Sequence, residues 1–204
     1  MAPCYNAAMP GPGQADLVQA LKRRDPEALS SIVHGHAAEL HLAARGLGRS
    51  EAEAEELVQE VFVAFLDALD RFEGRSTVRT YLFGILYRKA LEAGRRRSRE
   101  LATDPGDAVF DGRFDALGHW SKPPEGPDRD ADLAEMARLI GECLDGLPDQ
   151  QRAAFQLVEV DMEGRDAARN VLGVEDTHLR VLLFRARAKL RECLGSKWGE
   201  GALR

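Results

Sequence analysis

From Ser50 to Asp70 the chain repeats apolar residues at the period of an α-helix, and this repeat limits the fold more than any other feature. Ala54, Leu57, Val58, Val61, Phe62, Phe65 and Leu69 line one helical face. Ser50 and Glu53 stand in front of it as an S-x-x-E capping box, which fixes where the helix starts. A helix with one dry face must bury it against other elements. Here those elements are again helices. Asp25-Pro26 gives an N-cap followed by proline at the first helical position, and Leu29, Ile32, Val33, Leu40, Ala44 and Leu47 follow at helical spacing up to a stop near Gly46 to Gly48. A shorter helical start, Asp16 to Arg24, carries Leu17, Val18 and Leu21. No strand pattern stands out, so the expected fold is all-α.

Charge divides the helices. Glu51 to Asp70 holds seven acids and no Lys or Arg, with Glu56, Glu60, Val63 and Asp67 aligned away from the apolar stripe. Periodicity reads this face equally well as solvated, with early Glu favoured by the helix dipole, and as a docking surface for a basic partner. Arg71 to Arg99 is the reverse, with nine Arg or Lys and two Glu in a chain of formal net charge -6. An acidic protein that gathers cations on one helix has a localised polyanion site. Phe72, Tyr81, Phe83 and Tyr87 are interleaved with those cations. Cations with flat side chains suit melted nucleic acid, which offers phosphates and unstacked bases. Phe83 is in register with Val78, Leu82, Ile85 and Leu86 and reads as core, whereas Tyr81 falls near the Arg88 face. Gly74 gives the turn before this helix, Ser76 or Thr77 caps it near Val78, and Gly94 weakens it before the GRRRSR cluster.

Composition then shifts. Leu101 to Asp130 is rich in Pro, Gly and Asp and reads as an acidic linker, although Phe110, Phe114 and Trp120 argue against a passive tether. Helical spacing returns with Leu133, Met136, Ala137, Ile140 and Leu144, and LPDQQR starts a further helix. Beyond Gly164 come a short helix, a turn at Gly173 and a longer helix from Glu175. In that last helix Leu179, Leu182, Leu183, Ala186 and Leu190 share the buried stripe, while Arg180, Phe184, Arg187 and Arg191 project elsewhere. This is the layout of a helix-turn-helix, which many helical hairpins share.

Several functions are disfavoured. No apolar run approaches about 18 residues, so no membrane insertion is expected. The opening MAPCYNAAMPGPGQ lacks a secretion signal and reads as a disordered leader. Cys4, Cys143 and Cys193 form no C-x-x-C pair, so free thiols in a reducing compartment are expected. His34, His36 and His41 share a helix without i, i+4 spacing, which disfavours a metal site. There is no Gly-rich phosphate loop and no nucleophile motif, so neither an enzyme nor a cofactor is expected.

Two stretches resemble a known family. EELVQEVFVAFLDALDRFEGRSTVRTYLFGILYRKALEAGRRR is similar to region 2 of bacterial sigma-70-type factors, and LPDQQRAAFQLVEVDMEGRDAARNVLGVEDTHLRVLLFRARAKLREC is similar to region 4. With only these two regions, the architecture resembles the extracytoplasmic-function (ECF) group of alternative sigma factors. The expected organisation is a leader at 1–15, region 2 at 16–100, a linker at 101–131, region 4 at 132–195 and a tail at 196–204. The resemblance implies a cytoplasmic, non-enzymatic subunit that binds core RNA polymerase at the β′ clamp helices and β flap and directs it to promoter DNA. The resemblance also implies an anti-sigma factor that holds it inactive.

Residue by residue, the E-x-x-Q-E helix implies polymerase docking by Glu56, Gln59 and Glu60, with Val63 on the same stripe. The R-F-x-G-x-S segment and the next helix imply −10 recognition by Arg71, Phe72, Arg75, Ser76, Arg79, Thr80 and Tyr81, where Tyr replaces the family's usual Trp. Arg88, Lys89, Arg95, Arg96 and Arg97 would hold the DNA backbone or groove edges. In the −35 major groove the recognition helix would place Asp176, Thr177, His178, Arg180, Val181 and Phe184, with Arg185 and Arg187 toward phosphates. Two departures stand out. Ala167, Ala168 and Arg169 replace the usual E-I-A, which implies looser packing or an outward Arg169, and the recognition helix starts with acidic Glu175-Asp176. The competing reading is a free-standing, dimeric helix-turn-helix regulator, against which stand the acidic stripe and the single copy of each region.

Overall fold

The computed structural model describes residues 12–100 and 133–201, and every regular element among them is helical. The expected linker and most of the expected leader lie outside the described residues. Four helices come from the N-terminal half: α1 (Pro12–Lys22), α2 (Pro26–Gly46), α3 (Glu51–Ala68) and α4 (Val78–Glu100). Four come from the C-terminal half: α5 (Leu133–Asp145), α6 (Asp149–Phe155), α7 (Arg165–Leu172) and α8 (Asp176–Gly201).

Local chemistry sets most of these boundaries. Asp25 caps α2, its Oδ1 accepting from the amides of Glu27 and Ala28, each at 3.0 Å. The capping box at Ser50 and Glu53 is formed in both directions. Thr77 starts α4, its Oγ1 accepting from the Thr80 amide at 3.1 Å. Gly173 ends α7 in the left-handed conformation, φ 67°, and lets the chain turn into α8. Two boundaries differ from expectation. α1 begins at Pro12, inside the expected leader, because proline is well suited to a first helical turn. α8 runs through the expected tail to Gly201, and Lys197 ties that last part to Glu142 of α5.

The two halves do not stand apart. Leu21, Leu40, Val61, Phe65, Phe83 and Tyr87 from the first half share one continuous apolar cluster with Ala153, Leu157, Ala168, Val171 and Leu183 from the second. α6 and α7 lie against α4, and the contact uses glycines. Gly46 accommodates the Gln156 side chain and Gly94 that of Asp149, where a Cβ would collide. A Cβ on Gly84 would stand 3.4 Å from Val171. A second, smaller cluster holds Cys143, Leu147, Ala186 and Leu190 between α5 and α8.

That smaller cluster corrects one expectation. Cys143 and Cys193 are not free thiols but a disulfide, with their Cα atoms 5.7 Å apart. The pairing of α5 with α8 joins cysteines 50 residues apart in sequence, which spacing rules cannot see. The altered first helix of the helix-turn-helix packs well: Ala168 is fully buried. Arg169 reaches sideways to Asp166 at 3.1 Å and toward Glu175 at 3.9 Å.

Candidate polymerase and nucleic-acid interfaces

α3 separates its apolar and acidic faces as its period requires. Ala54, Leu57, Val58, Val61 and Phe65 are buried, and Glu56, Gln59, Glu60 and Val63 are exposed. Val63 is an isolated apolar side chain, 59% exposed, among these polar neighbours. Glu60 accepts from Lys89 Nζ at 2.9 Å, so an expected docking residue and an expected DNA-binding residue hold each other across the α3–α4 groove. Arg49, Glu53, Glu56, Leu57, Ala90 and Ala93 complete the walls of that groove.

The −10 candidates separate into three kinds. Arg71, Arg75 and Arg88 are exposed; Arg75 pairs with neighbouring Glu73, and Arg88 Nε donates to the Gly84 carbonyl at 2.8 Å. Ser76 and Tyr81 are half-buried. Phe72 differs from its expected role: it is 3% exposed and packs edge-on against Tyr81 at 5.1 Å and Phe65 at 6.1 Å. Tyr87 is fully buried as well, so of the four interleaved aromatics only Tyr81 keeps part of its ring at the surface. Arg95, Arg96 and Arg97 continue α4, but their side chains lie outside the described residues.

Arg79 and Thr80 form the third kind, because they meet the C-terminal half. Arg79 stacks 4.3 Å over the Phe83 ring. Its Nε donates to Glu39 at 3.0 Å, one Nη donates to Glu163 and the other to the Asp161 carbonyl at 3.1 Å. Thr80 Oγ1 donates to the second Glu163 oxygen at 3.0 Å. Tyr87 Oη donates to Asp161 Oδ2 at 2.5 Å. Burial pushes the Asp161 carboxyl up to about 6, against the opposing pull of Tyr87, Arg79 and Gln156. Burial and the adjoining Asp161 push the Tyr87 phenol upward. Burial also acts to raise Glu39, but its hydrogen bonds to His36 and Arg79 outweigh that and leave it lowered. The other two histidines of α2 are engaged locally, His34 with the Ser30 carbonyl and His41 near Glu51.

The recognition face of α8 is open. Thr177, His178, Arg180, Val181 and Phe184 are exposed, and Asp176, Arg185 and Arg187 are half-buried. Asp176 holds Arg180 at 2.8 Å within the helix, which tempers the acidic start, and Arg187 pairs with Glu159. Among the described residues no helix is long and apolar enough to cross a membrane, and no cluster gathers three metal-ligating side chains.

Comparison with known proteins places this geometry. The family profile for Sigma-70 region 2 matches residues 32–100, which span most of α2 and all of α3 and α4. The RNA polymerase sigma factor CnrH of Cupriavidus metallidurans is 29% identical over 193 residues, covering 90% of this chain and 96% of the relative. The chain belongs to the sigma-70 family. The ECF RNA polymerase sigma factor SigM of Mycobacterium tuberculosis is 29% identical over 184 residues, 89% of this chain and 84% of its own length. The fold of this sigma factor is similar to that of CnrH solved in complex with the cytosolic domain of CnrY, with a TM-score of 0.62 at 25% identity over 88% of this chain and 96% of that one. The sigma factor RpoE of Bartonella quintana, solved with the anti-sigma factor NepR, shares the fold at a TM-score of 0.58. The chain is thus an alternative sigma factor of the ECF group, which directs transcription initiation. Members of this family are initiation factors rather than enzymes.

Proposed function

We propose that this sigma factor docks on core RNA polymerase through the exposed face of α3 and reads promoter DNA with two separate surfaces. Glu56, Gln59, Glu60 and Val63 form the polymerase-facing stripe. Residues 16–100 act as region 2, where Arg71, Arg75, Ser76, Arg79, Thr80, Tyr81, Arg88 and Lys89 take the −10 element. Phe72 serves that surface from beneath, by seating Tyr81. Residues 132–195 act as region 4, where Thr177, His178, Arg180, Val181 and Phe184 enter the −35 major groove and Arg185 and Arg187 approach phosphates. The protein works in the cytoplasm, where a dissociable anti-sigma partner holds it inactive.

The observation that carries this reading is the exposed acidic stripe of α3 set beside a basic α4, with the recognition face of α8 left open. A free-standing DNA reader has no use for such a stripe. The test is binding to purified bacterial core RNA polymerase by wild type, Glu56→Lys and Glu56→Lys/Glu60→Lys. Glu56→Lys alone is included because Glu60 also holds Lys89. The expected result is tight wild-type binding, weakened by the single reversal and lost in the double. Absence of core binding by folded wild type, or binding unchanged by both variants, refutes the assignment.

A further inference from the structure

The last helix opens with two acids, and each has an arginine beside it. Glu175 lies toward Arg169 of α7 at 3.9 Å, and Asp176 Oδ2 holds Arg180 Nη2 at 2.8 Å. The second pair spans one helical turn, from i to i+4, with the Arg180 side chain 65% exposed. An exposed pair of this kind adds little to stability. Its effect is on direction. The Arg180 guanidinium has a partner on its N-terminal side, and one carboxylate occupies only part of a five-donor fork.

The scaffold beneath the pair is packed. Leu179, Leu182, Leu183 and Ala186 are buried, which fixes the rotation of α8. Thr177, Arg180, Val181 and Phe184 then share the outward face, and Asp176 lies at its rim on the Arg180 side. Val181 and Phe184 are exposed apolar side chains, so Arg180 brings the charge to this face. Major-groove edges suit both kinds of group. Guanine N7 and O6 accept from an arginine fork, and the thymine methyl takes an apolar contact. Arg187 is held by Glu159 from another element. Arg180 is held instead by an acid of its own helix, which travels with it onto DNA.

We propose that Asp176 is a positioning residue that aims Arg180 at a guanine of the −35 duplex and so sets the base preference at that one position. This rests on the region 4 assignment above. A long arginine beside a groove reaches either a base edge or a phosphate. Contact with phosphate carries no sequence information, whereas contact with a base edge does. Asp176 biases that choice in two ways. It holds the guanidinium before DNA arrives, so less side-chain freedom is lost on contact. It also repels phosphates and the acceptor edges of wrong bases, so affinity for unselected DNA is given up for discrimination. The acidic start of the recognition helix thereby acts on specificity.

The test uses holoenzyme assembled on purified core RNA polymerase and a random-sequence duplex DNA pool, with the retained duplexes sequenced. Wild type is compared with Asp176→Ala, Arg180→Ala, the double variant and Asp176→Glu, which restores an i, i+4 acid. One selected duplex is then titrated at several salt concentrations. Wild type should select guanine at one position of the upstream element. That preference should fall about tenfold in Asp176→Ala and in Arg180→Ala, fall no further in the double variant, and return in Asp176→Glu. Asp176→Ala should also bind unselected duplex more tightly, which loss of folding would not produce. A guanine preference that survives in Asp176→Ala, whatever the change in affinity, overturns the proposal. So does a uniform loss by Arg180→Ala across all sequences with the salt slope lowered by about one, the mark of a phosphate contact. Both results leave the region 4 assignment standing. Base preferences that no α8 substitution alters overturn that assignment and the proposal with it.

Discussion

Asp161 makes the contact between the halves depend on pH, and the size of the effect follows from its surroundings. Seated against α4, its carboxyl is raised from 3.8 to about 6. Tyr87, Arg79, Glu163 and Gln156 face it there. When the halves part or the chain unfolds, Asp161 returns to water and its ordinary value. A group raised in the folded state contributes stability that is complete below its unfolded value and is lost as pH rises through the folded one. The contribution is therefore complete below 3.8 and lost above about 6. Between pH 7.5 and pH 5.0 the seated form gains about tenfold in population, or about 1.4 kcal/mol. Glu39 works the other way, but its lowered carboxyl titrates below this window.

The assay is urea unfolding of wild type and Asp161→Asn, followed by circular dichroism at both pH values. Asparagine still accepts from Tyr87 but cannot titrate, so the wild-type-minus-variant difference removes every other ionisable group. Wild type should gain about 1.4 kcal/mol over the variant on going to pH 5.0. Parallel pH profiles, or a wild type that loses ground to Asp161→Asn on acidification, would refute the reasoning. Either would mean that the carboxylate is not desolvated by α4.

Three further outcomes are expected. Phe72→Ala removes a buried ring stacked edge-on with Phe65 and Tyr81 and should cost about 3–5 kcal/mol in the same urea assay. An exposed base-stacking residue would cost far less. Reducing the Cys143–Cys193 bond frees a 50-residue loop and should lower stability by about 2–4 kcal/mol, whereas a Cys143→Ser variant should not respond to reductant. Gly173→Ala forces a side chain into φ 67° between α7 and α8 and should cost about 1–2 kcal/mol, with weaker duplex binding by the recognition helix as the functional readout.

What the sequence displayed and what it hid divide along physical range. Caps and stripes are local, so Asp25, the Ser50–Glu53 box, Gly173 and the buried faces of α3 and α8 were legible before any fold was known. Cys143–Cys193 and Arg79–Glu163 join residues 50 and 84 apart, and no local period carries that information. One signal was present and misdirected. Leu82 to Tyr87, LFGILY, is apolar around the whole circumference of α4, and all six residues are buried. A helix apolar on every side needs cover on every side, and α2 and α3 cover only part of it. The cations on either side of this run drew attention to nucleic acid, when the run itself required a second layer. Glycine at 46, 84 and 94 marked where that layer touches. The basic helix was therefore read for an outside partner, while its apolar waist and glycines encode a partner inside the chain, its C-terminal half. These two demands meet at Arg79. Its charge suits a phosphate, yet in this fold it is partly withdrawn from water. The fold meets both demands by giving Arg79 carboxylates on two sides, Glu39 from its own half and Glu163 from the other.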